Sequence, residues 1–323
     1  MRKLIYILVF VVVAALSAWF FLMKDSVTIF DDNSAFKAVP IHSPLIIEVK
    51  NIPAILSSFS ETNQITSELK NIGVIDQLSK ELSFIKNLQS SDNEFAQLST
   101  NSPLLVSVNF LGKNEADFLF LVSLKSKKEK NTVLDIIKKT ASPAPVVSKR
   151  TYDETEIYQT AINNSEFTFA FPNGIFVASK RALLVEDAIR QSGTENLTNR
   201  ADFQKLRKTS NSNTLANVYI NHRRIPQLLA KSLAPEMRKK FTFIADYADF
   251  TELDLNLKSS ELFLNGFTSS NDSVENYVNI FKGQEPRKSD IESVLPANTS
   301  LFVALNIEKT GDWLQKYEQS RFS

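Results

Sequence analysis

The chain has 323 residues, with 37 basic and 36 acidic side chains and a formal net charge of +1 at pH 7. This balance argues against a nucleic-acid-binding protein, which needs a clustered excess of Lys and Arg. With no cysteine, the chain folds without disulfides and cannot carry a lipoprotein-type thioether anchor. Its seven glycines are too far apart to form a Gly-rich phosphate-binding loop.

The first feature along the chain is the apolar run at residues 4–23, LIYILVFVVVAALSAWFFLM. At about 1.5 Å per residue, a helix of this length spans about 30 Å, which matches the hydrocarbon core of a bilayer. Because backbone polar groups in lipid must be bonded within the segment, residues 1–23 are predicted to form one transmembrane anchor. The lipid bilayer is therefore the partner predicted for residues 4–23.

The charges around this run predict its orientation. Arg2 and Lys3 precede it, and acidic residues follow it, so the N-terminus is expected in the cytoplasm and the bulk of the chain outside it. The alternative is a secretory signal peptide cleaved after Ala15-Leu16-Ser17. The apolar run is longer than the roughly 7–15 residues of a signal peptide, which favours the uncleaved anchor.

Beyond the anchor, residues 24–39 are predicted to be a polar spacer and residues 40–285 a folded domain. Residues 52–99 are predicted to be helical, because Ile and Leu recur at three- and four-residue spacing from Ile65 to Leu88, with a break near Gly73. Short segments of alternating apolar and polar residues predict strands over much of the remainder. The predicted strands are Leu45–Val49, Leu104–Phe110, Asp117–Lys125, Val146–Thr151, Glu156–Ala161, Phe167–Phe171, Ile175–Ala178, Asn213–Asn221, Phe250–Lys258 and Glu261–Ser269. Further helices are predicted around 133–137 and at Leu183–Gln191, Asp202–Arg207, Ile225–Leu233, Glu236–Tyr247 and Val274–Phe281.

Two local patterns refine this picture. Asn173-Gly174 between apolar segments favours the positive φ angles of a tight hairpin. In Phe250–Lys258, Glu252 and Asp254 alternate with leucines, which predicts that one face of this strand is exposed to water. The predicted fold class is α+β, with antiparallel sheets and packed helices preceded by one transmembrane helix.

A short sequence recurs along the chain. Ser43–Val49 (SPLIIEV), Ser102–Val108 (SPLLVSV) and Thr299–Leu305 (TSLFVAL) are similar, and Thr214–Ile220 matches more loosely. Strands that follow a polar turn often look alike, and this is the alternative explanation. If the repeat is real, residues 286–323 begin a second, truncated copy of the domain, and the chain is the front part of a longer protein.

The chain also resembles a known family. The N-terminal anchor, the Pro-initiated strands, the repeated strand–helix units and the hairpin FPNGIFVAS followed by LLVEDAI occur together. This combination resembles a family of bacterial envelope proteins known only as a domain of unknown function, over about residues 1–320. The resemblance implies an inner-membrane protein with one membrane helix and a periplasmic α+β region, and it carries over no catalytic residues.

Few residues point to chemistry. His42 and His222 lie at turns, and neither is accompanied by a GxSxG or HExxH motif. The acidic cluster Asp246, Asp249, Glu252 and Asp254 lacks the glycine and ligand spacing of a calcium loop, so a solvated strand edge is expected. No catalytic, cofactor-binding or metal-binding residue is therefore predicted.

The predicted function is non-enzymatic: a membrane-tethered binding or scaffold module of the cell envelope, with an envelope protein or a lipid as its partner. One alternative is an envelope hydrolase that uses dispersed carboxylates such as Asp249 and Glu252, for which two facing carboxylates of perturbed pKa would be diagnostic. The other alternative is a lipid or peptide carrier, for which an apolar groove between sheet and helices would be diagnostic.

Overall fold

The computed structural model describes residues 34–58, 64–82 except 72 and 74, 94–98 except 95, 102–111, 117–141, 148–162, 165–258, 261–271, 276–285 and 288–322. The predicted membrane helix at residues 4–23 lies outside these ranges. Within them, no helix combines the length and the apolar composition needed to cross a bilayer.

Within the described ranges, ten antiparallel strands form one sheet. In chain order they are β1 (Leu45–Val49), β2 (Leu104–Asn109), β3 (Asp117–Ser123), β4 (Ser148–Tyr152), β5 (Thr155–Ile162), β6 (Ser165–Ala170), β7 (Ile175–Ser179), β8 (Ala216–Asn221), β9 (Phe250–Leu257) and β10 (Leu262–Ser269). Their order across the sheet is β10-β9-β8-β1-β2-β3-β7-β6-β5-β4. The predicted α+β class with an antiparallel sheet is confirmed.

Both faces of the sheet are covered in the centre. Every residue of β2 is buried, and β1 is apolar at four of its five positions. Antiparallel strands with such continuous apolar sequences need packing partners on both sides. The similar sequences that begin at Ser43 and Ser102 form β1 and β2, which are neighbours, and the looser match contains most of β8, on the other side of β1.

Helical segments pack on both faces of this sheet. The α-helices described include Ile52–Ser58, Gln64–Leu69, 75–82, Lys127–Thr140, Ala182–Ser192, Ala201–Arg207, Ile225–Ser232, Pro235–Arg238 and Thr310–Phe322, and residues 96–98 are also helical. Shorter 3₁₀ turns lie at Ser34–Ala38, Pro172–Gly174, Leu197–Asn199, His222–Arg224, Lys239–Asp246, Tyr277–Phe281 and Ile291–Val294. We call the face covered by helices Ala182–Ser192 and Ala201–Arg207 face A, and the face covered by helices Ile52–Ser58, 75–82 and Lys127–Thr140 face B.

The core of face A includes a segment that the sequence assigns to the spacer. Phe36 is buried, and its ring centroid lies 5.6 Å from that of Phe203 and 5.5 Å from that of Tyr219. Ala35, Ala38 and Val39 are buried beside it. The spacer prediction is therefore wrong for residues 34–39, because this turn supplies apolar area to the core.

The hairpin between β6 and β7 is confirmed. Asn173 and Gly174 have φ angles of 48° and 78°, and Ala170 pairs with Val177 across the hairpin. Asn173 tolerates this left-handed conformation better than most residues, and its side-chain amide also donates to the carbonyl oxygen of Ser192. The turn thus joins the sheet to the end of helix Ala182–Ser192.

Two segments near the C-terminus depart from a regular α-helix or strand. The helix predicted at Glu236–Tyr247 is confirmed as a helical segment, but only Pro235–Arg238 is α-helical, and Lys239–Asp246 is a 3₁₀ segment rich in aromatic and β-branched residues of modest helix propensity. Residues 299–307, which contain the third copy of the repeated sequence, form no strand. A strand needs a neighbouring strand to satisfy its backbone groups, and none pairs with this segment in the described chain.

Candidate functional site

A largely apolar cavity of about 150 Å³ lies on face B, between the sheet and helix Lys127–Thr140. Its floor comes from β2, β3, β5, β6 and β7, and the short helix Ile52–Ser58 closes one side with Ile52. The polar residues at its wall are Glu81, Ser102 and Thr140, and the remaining described lining residues are apolar. A cavity of this composition favours an apolar guest over water.

Strand periodicity builds the floor of the cavity. Phe167 and Phe169 are two residues apart on β6, and Phe176 and Ala178 are two residues apart on β7, so each pair points to the same face. Phe169 stacks on Tyr158 of β5 at a centroid distance of 5.0 Å and an interplanar angle of 9°. These contacts fix the aromatic rings, so the floor is a rigid apolar surface.

Helical periodicity builds the roof. Val133, Ile136, Ile137 and Thr140 recur at three- and four-residue spacing and line the cavity together. The helix begins at a defined cap, because the Ser126 hydroxyl accepts a hydrogen bond of 3.2 Å from the backbone N–H of Glu129. This cap fixes where the apolar stripe of the helix starts relative to the sheet.

Two polar residues at the wall of the cavity differ in their partners. Glu81 forms an ion pair with Lys180, whose Nζ lies 5.6 Å from the ring centroid of Phe167. The Ser102 hydroxyl is buried and has no hydrogen-bond partner among the described residues. A buried hydroxyl without a partner costs about 1–3 kcal/mol, so Ser102 is suited to bonding a polar atom of a guest or a water molecule.

A second polar cluster lies on face A, around Glu48 of β1. The Tyr219 hydroxyl donates to Glu48 Oε2 at 3.1 Å, the Lys50 ammonium lies 2.8 Å from the same oxygen, and the Arg207 guanidinium lies 3.7 Å from Oε1. Burial and then the negative charge of Glu48 raise the pKa of Tyr219. The Arg207 guanidinium also lies 4.0 Å from the centroid of the Phe36 ring. These contacts compensate the buried charge of Glu48 and tie the first described turn to the sheet.

Glu252 of β9 belongs to the same face and is fully buried. The Asn217 side-chain amide donates to Glu252 Oε1 at 3.0 Å. Burial, and then the negative charge of Asp254, raise the pKa of Glu252 to about 7. The prediction of a solvated edge is wrong for Glu252, because helix Ala201–Arg207 covers this part of β9 and Phe203 contacts Phe250 at 5.5 Å between ring centroids.

Asp249 belongs to a different cluster. It is buried, and its carboxylate accepts from Arg223 at 2.9 Å and from the backbone N–H of Asn271 at 2.7 Å. His222 lies close by, with its Nε2 2.7 Å from the hydroxyl of Thr251, and burial lowers its pKa against the opposing charge of Asp249. Since Thr251 and Glu252 are consecutive in a strand, their side chains point to opposite faces. Glu252 is thus in a separate cluster from Asp249, and the two do not form the facing pair that would indicate a hydrolase.

The remaining residues considered in the sequence, His42 and Asp246, lie at exposed positions. His42 Nδ1 lies 2.7 Å from the Arg224 guanidinium at an exposed position, as expected for a turn residue. Asp246 is exposed. Within the ranges that the structure describes, no group of three or more His, Asp or Glu side chains is arranged to hold a metal ion.

Comparison with known protein families identifies the family of this chain. A family model described as "Protein of unknown function (DUF3352)" matches residues 4–320. The chain belongs to this family. Neither the curated proteins nor the solved structures contain a match. The predicted resemblance to a family of unknown function is therefore confirmed, and membership in DUF3352 assigns no catalytic or binding residue.

The sequence of this DUF3352 chain contains the elements of the cavity without revealing the cavity itself. Helical spacing identifies Val133, Ile136 and Ile137, and period-two spacing identifies Phe167 and Phe169. Each pattern is typical of ordinary core packing. A cavity arises where such surfaces meet without filling the space between them, and no local pattern reports that volume.

Proposed function

We propose that this protein is a membrane-tethered binding module of the cell envelope and that its cavity holds the apolar group of a ligand. The ligand class is a molecule with a short acyl end or a single aliphatic or aromatic side chain. The observation that supports this proposal most strongly is the apolar cavity of about 150 Å³ on face B. Apolar cavities of about this size accept benzene-sized guests.

The size of the cavity sets the affinity that it can supply. A guest of about five methylenes gains about 0.8 kcal/mol for each buried methylene, or about 4 kcal/mol in total. This free energy corresponds to a dissociation constant of about 1 mM. The cavity alone is therefore a weak site, and useful binding needs further polar contacts or a high local concentration of ligand.

Features of the chain support both a polar contact to the ligand and a high local concentration of ligand. The unpartnered Ser102 hydroxyl at the wall of the cavity is suited to a ligand with a polar head next to its apolar group. The apolar run at residues 4–23, with Arg2 and Lys3 before it, would hold the module at the inner-membrane surface, in the periplasm. Tethering next to a lipid or an envelope peptide raises its effective concentration, which compensates for weak intrinsic affinity.

The hydrolase alternative has less support. Its two carboxylates, Asp249 and Glu252, lie in separate hydrogen-bond clusters and are engaged by Arg223 and Asn217, respectively. A glycosidase-type reaction needs two carboxyl groups that flank one reacting bond.

The test is a length series of straight-chain alcohols and carboxylates with four to ten carbons, with binding to the full chain measured by calorimetry. We expect affinity to increase up to about six carbons and then to level off, because longer chains no longer fit a cavity of this volume. Ala178→Leu should abolish binding, because the larger side chain fills the cavity. The matched control is Ala201→Leu, since Ala201 is the exposed first residue of helix Ala201–Arg207. Equal binding to wild type and Ala178→Leu would contradict the proposal.

The tether is tested separately by carbonate extraction of membranes. We expect the chain to remain in the membrane pellet, and the same chain without residues 1–23 to appear in the supernatant. Release of the intact chain by carbonate would contradict the membrane anchor. Ligand binding in the cavity is tested independently by the calorimetric experiment.

A further inference from the structure

The two edges of the sheet differ in how they are protected. At one edge, β4 (sequence SKRTY) carries Lys149 and Arg150, and charged side chains of this kind prevent edge-to-edge pairing. At the other edge, β10 has the sequence LFLNGFTS, which contains no charged residue and no proline. β10 pairs with β9 on one side, and its other side faces no strand in the described chain.

β10 exposes apolar side chains on both faces of the sheet. Phe263 and Phe267 are opposite Asn256 and Glu252 of β9, whereas Leu262 and Leu264 are opposite Leu257 and Leu255. All four are 36–59% exposed. A strand that is apolar on both faces is typical of a sheet interior with neighbours on both sides. The sequence of β10 is therefore that of an internal strand at an edge position.

A second segment of the chain has the sequence of a strand but no strand to pair with in the described chain. Residues 300–305 (SLFVAL) have the composition of a buried strand and resemble β1 and β2, which lie at the centre of the sheet. They form no strand, and Leu301 and Val303 are 84% and 79% exposed. Like β10, this segment contains no charge and no proline, so nothing in it opposes addition to a sheet edge.

Within the same chain, the residues that follow 300–305 are bound to the segment around Gln284 and Phe281. The backbone N–H groups of Glu308 and Lys309 donate to the side-chain oxygen of Gln284 at 3.0 and 2.8 Å. Trp313 contacts Phe281 with 6.3 Å between ring centroids. These contacts hold the base of the terminal helix against the Tyr277–Phe281 turn, and residues 300–305 stay exposed beside it.

We propose that β10 of one copy binds residues 300–305 of a second copy as an additional antiparallel strand. The pairing is reciprocal, so it produces a two-fold symmetric dimer in which each sheet gains one strand. Six residues of each segment pair along an eight-residue edge, which satisfies exposed backbone groups and covers apolar side chains of both. The net charge of +1 offers little repulsion between copies.

The absence of cysteine makes this pairing directly testable. One tagged full-length chain carries Leu264→Cys, and a second, differently tagged, carries Val303→Cys. The two are mixed and treated with a short bis-maleimide. We expect a cross-linked species that contains both tags. The control mixture replaces Leu264→Cys by Leu183→Cys, which is 63% exposed on the helix Ala182–Ser192, and it should give at least tenfold less product.

The double variant Leu264→Cys, Val303→Cys distinguishes pairing between copies from pairing within one chain. Cross-linked dimer in the mixture supports the proposal. Cross-linking only within the double variant, with no mixed product, would overturn it and would assign the edge to the chain's own segment. A mixed product no stronger than the Leu183→Cys control would also overturn it.

Light scattering of the full chain in mild detergent, corrected for bound detergent, measures the consequence for assembly. Wild type should have twice the mass of one chain. Val303→Lys should raise the dissociation constant at least tenfold, because a charge in the added strand opposes edge pairing. Residue 303 is exposed in the single chain, so this variant should keep its circular dichroism spectrum and unfolding midpoint. A monomeric wild type at 100 µM, or unchanged dissociation in Val303→Lys, would contradict the dimer.

Discussion

Glu252→Gln is the substitution for which the structure makes the sharpest stability prediction. The pKa of Glu252 is raised from its ordinary value of 4.5 to about 7, first by burial and then by the charge of Asp254. Below pH 4.5, the carboxyl is protonated in both the folded and the unfolded chain, so the raised pKa has no cost. Between pH 4.5 and 7, the unfolded chain loses the proton and the folded chain keeps it, so stability falls as pH rises. Above pH 7, the cost is constant at no more than about 3 kcal/mol.

The glutamine variant is neutral at every pH and can still accept the hydrogen bond from Asn217. We therefore expect its free energy of unfolding, relative to wild type, to be higher at pH 8 than at pH 4.5 by about 1–3 kcal/mol. Urea denaturation at the two pH values measures this difference. Glu166→Gln, at an exposed position on β6, is the control and should show less than about 0.5 kcal/mol. A gain for Glu252→Gln that is independent of pH, or larger at pH 4.5, would refute the assignment of Glu252 as a buried acid.

The remaining stability predictions concern the edge strand and the first turn. Gly266→Ala should lower the free energy of unfolding by more than about 2 kcal/mol, because a Cβ at this position would lie 1.8 Å from the carbonyl oxygen of Glu252. The control is Gly193→Ala, where the nearest atom to the added Cβ lies at 3.8 Å, and it should change the free energy of unfolding by less than about 1 kcal/mol. Equal effects of the two substitutions in thermal denaturation would contradict the close approach of β10 to β9. Phe36→Ala should cost about 3–5 kcal/mol by leaving a cavity in the core of face A, whereas Phe243→Ala, at an exposed position, should cost less than about 1 kcal/mol. A small effect of Phe36→Ala would mean that residues 34–39 do not belong to the folded core.

The strands were largely predictable because their signals are local. Leu45–Val49 was predicted with the bounds that β1 has, and Asn173-Gly174 correctly located the hairpin. The pairing order was not predictable, because β8 reaches β1 only after an intervening stretch of about 165 residues. Local alternation specifies which residues share a face, but it does not specify which strand lies alongside.

The burial of Glu252 was predicted wrongly for a related reason. Alternating acidic residues on a strand usually indicate a face exposed to water. Here the partner that engages Glu252 comes from a different strand, since Asn217 lies on β8, and helix Ala201–Arg207 covers the face. The polar residues on this face of β9 therefore belong to a buried hydrogen-bond network. Only the three-dimensional arrangement distinguishes such a network from a face that is exposed to water.

The cavity on face B supports the functional proposal, and its occupancy can be measured residue by residue. The most direct measurement is a methyl NMR titration of the isotope-labelled full chain with hexanol. We expect saturable shifts at Val133 and Ile137, which line the cavity, and none at Val185 and Ile189, which are buried on face A. Shifts of equal size on both faces, or no saturation at Val133 and Ile137, would contradict binding of an apolar group in the cavity.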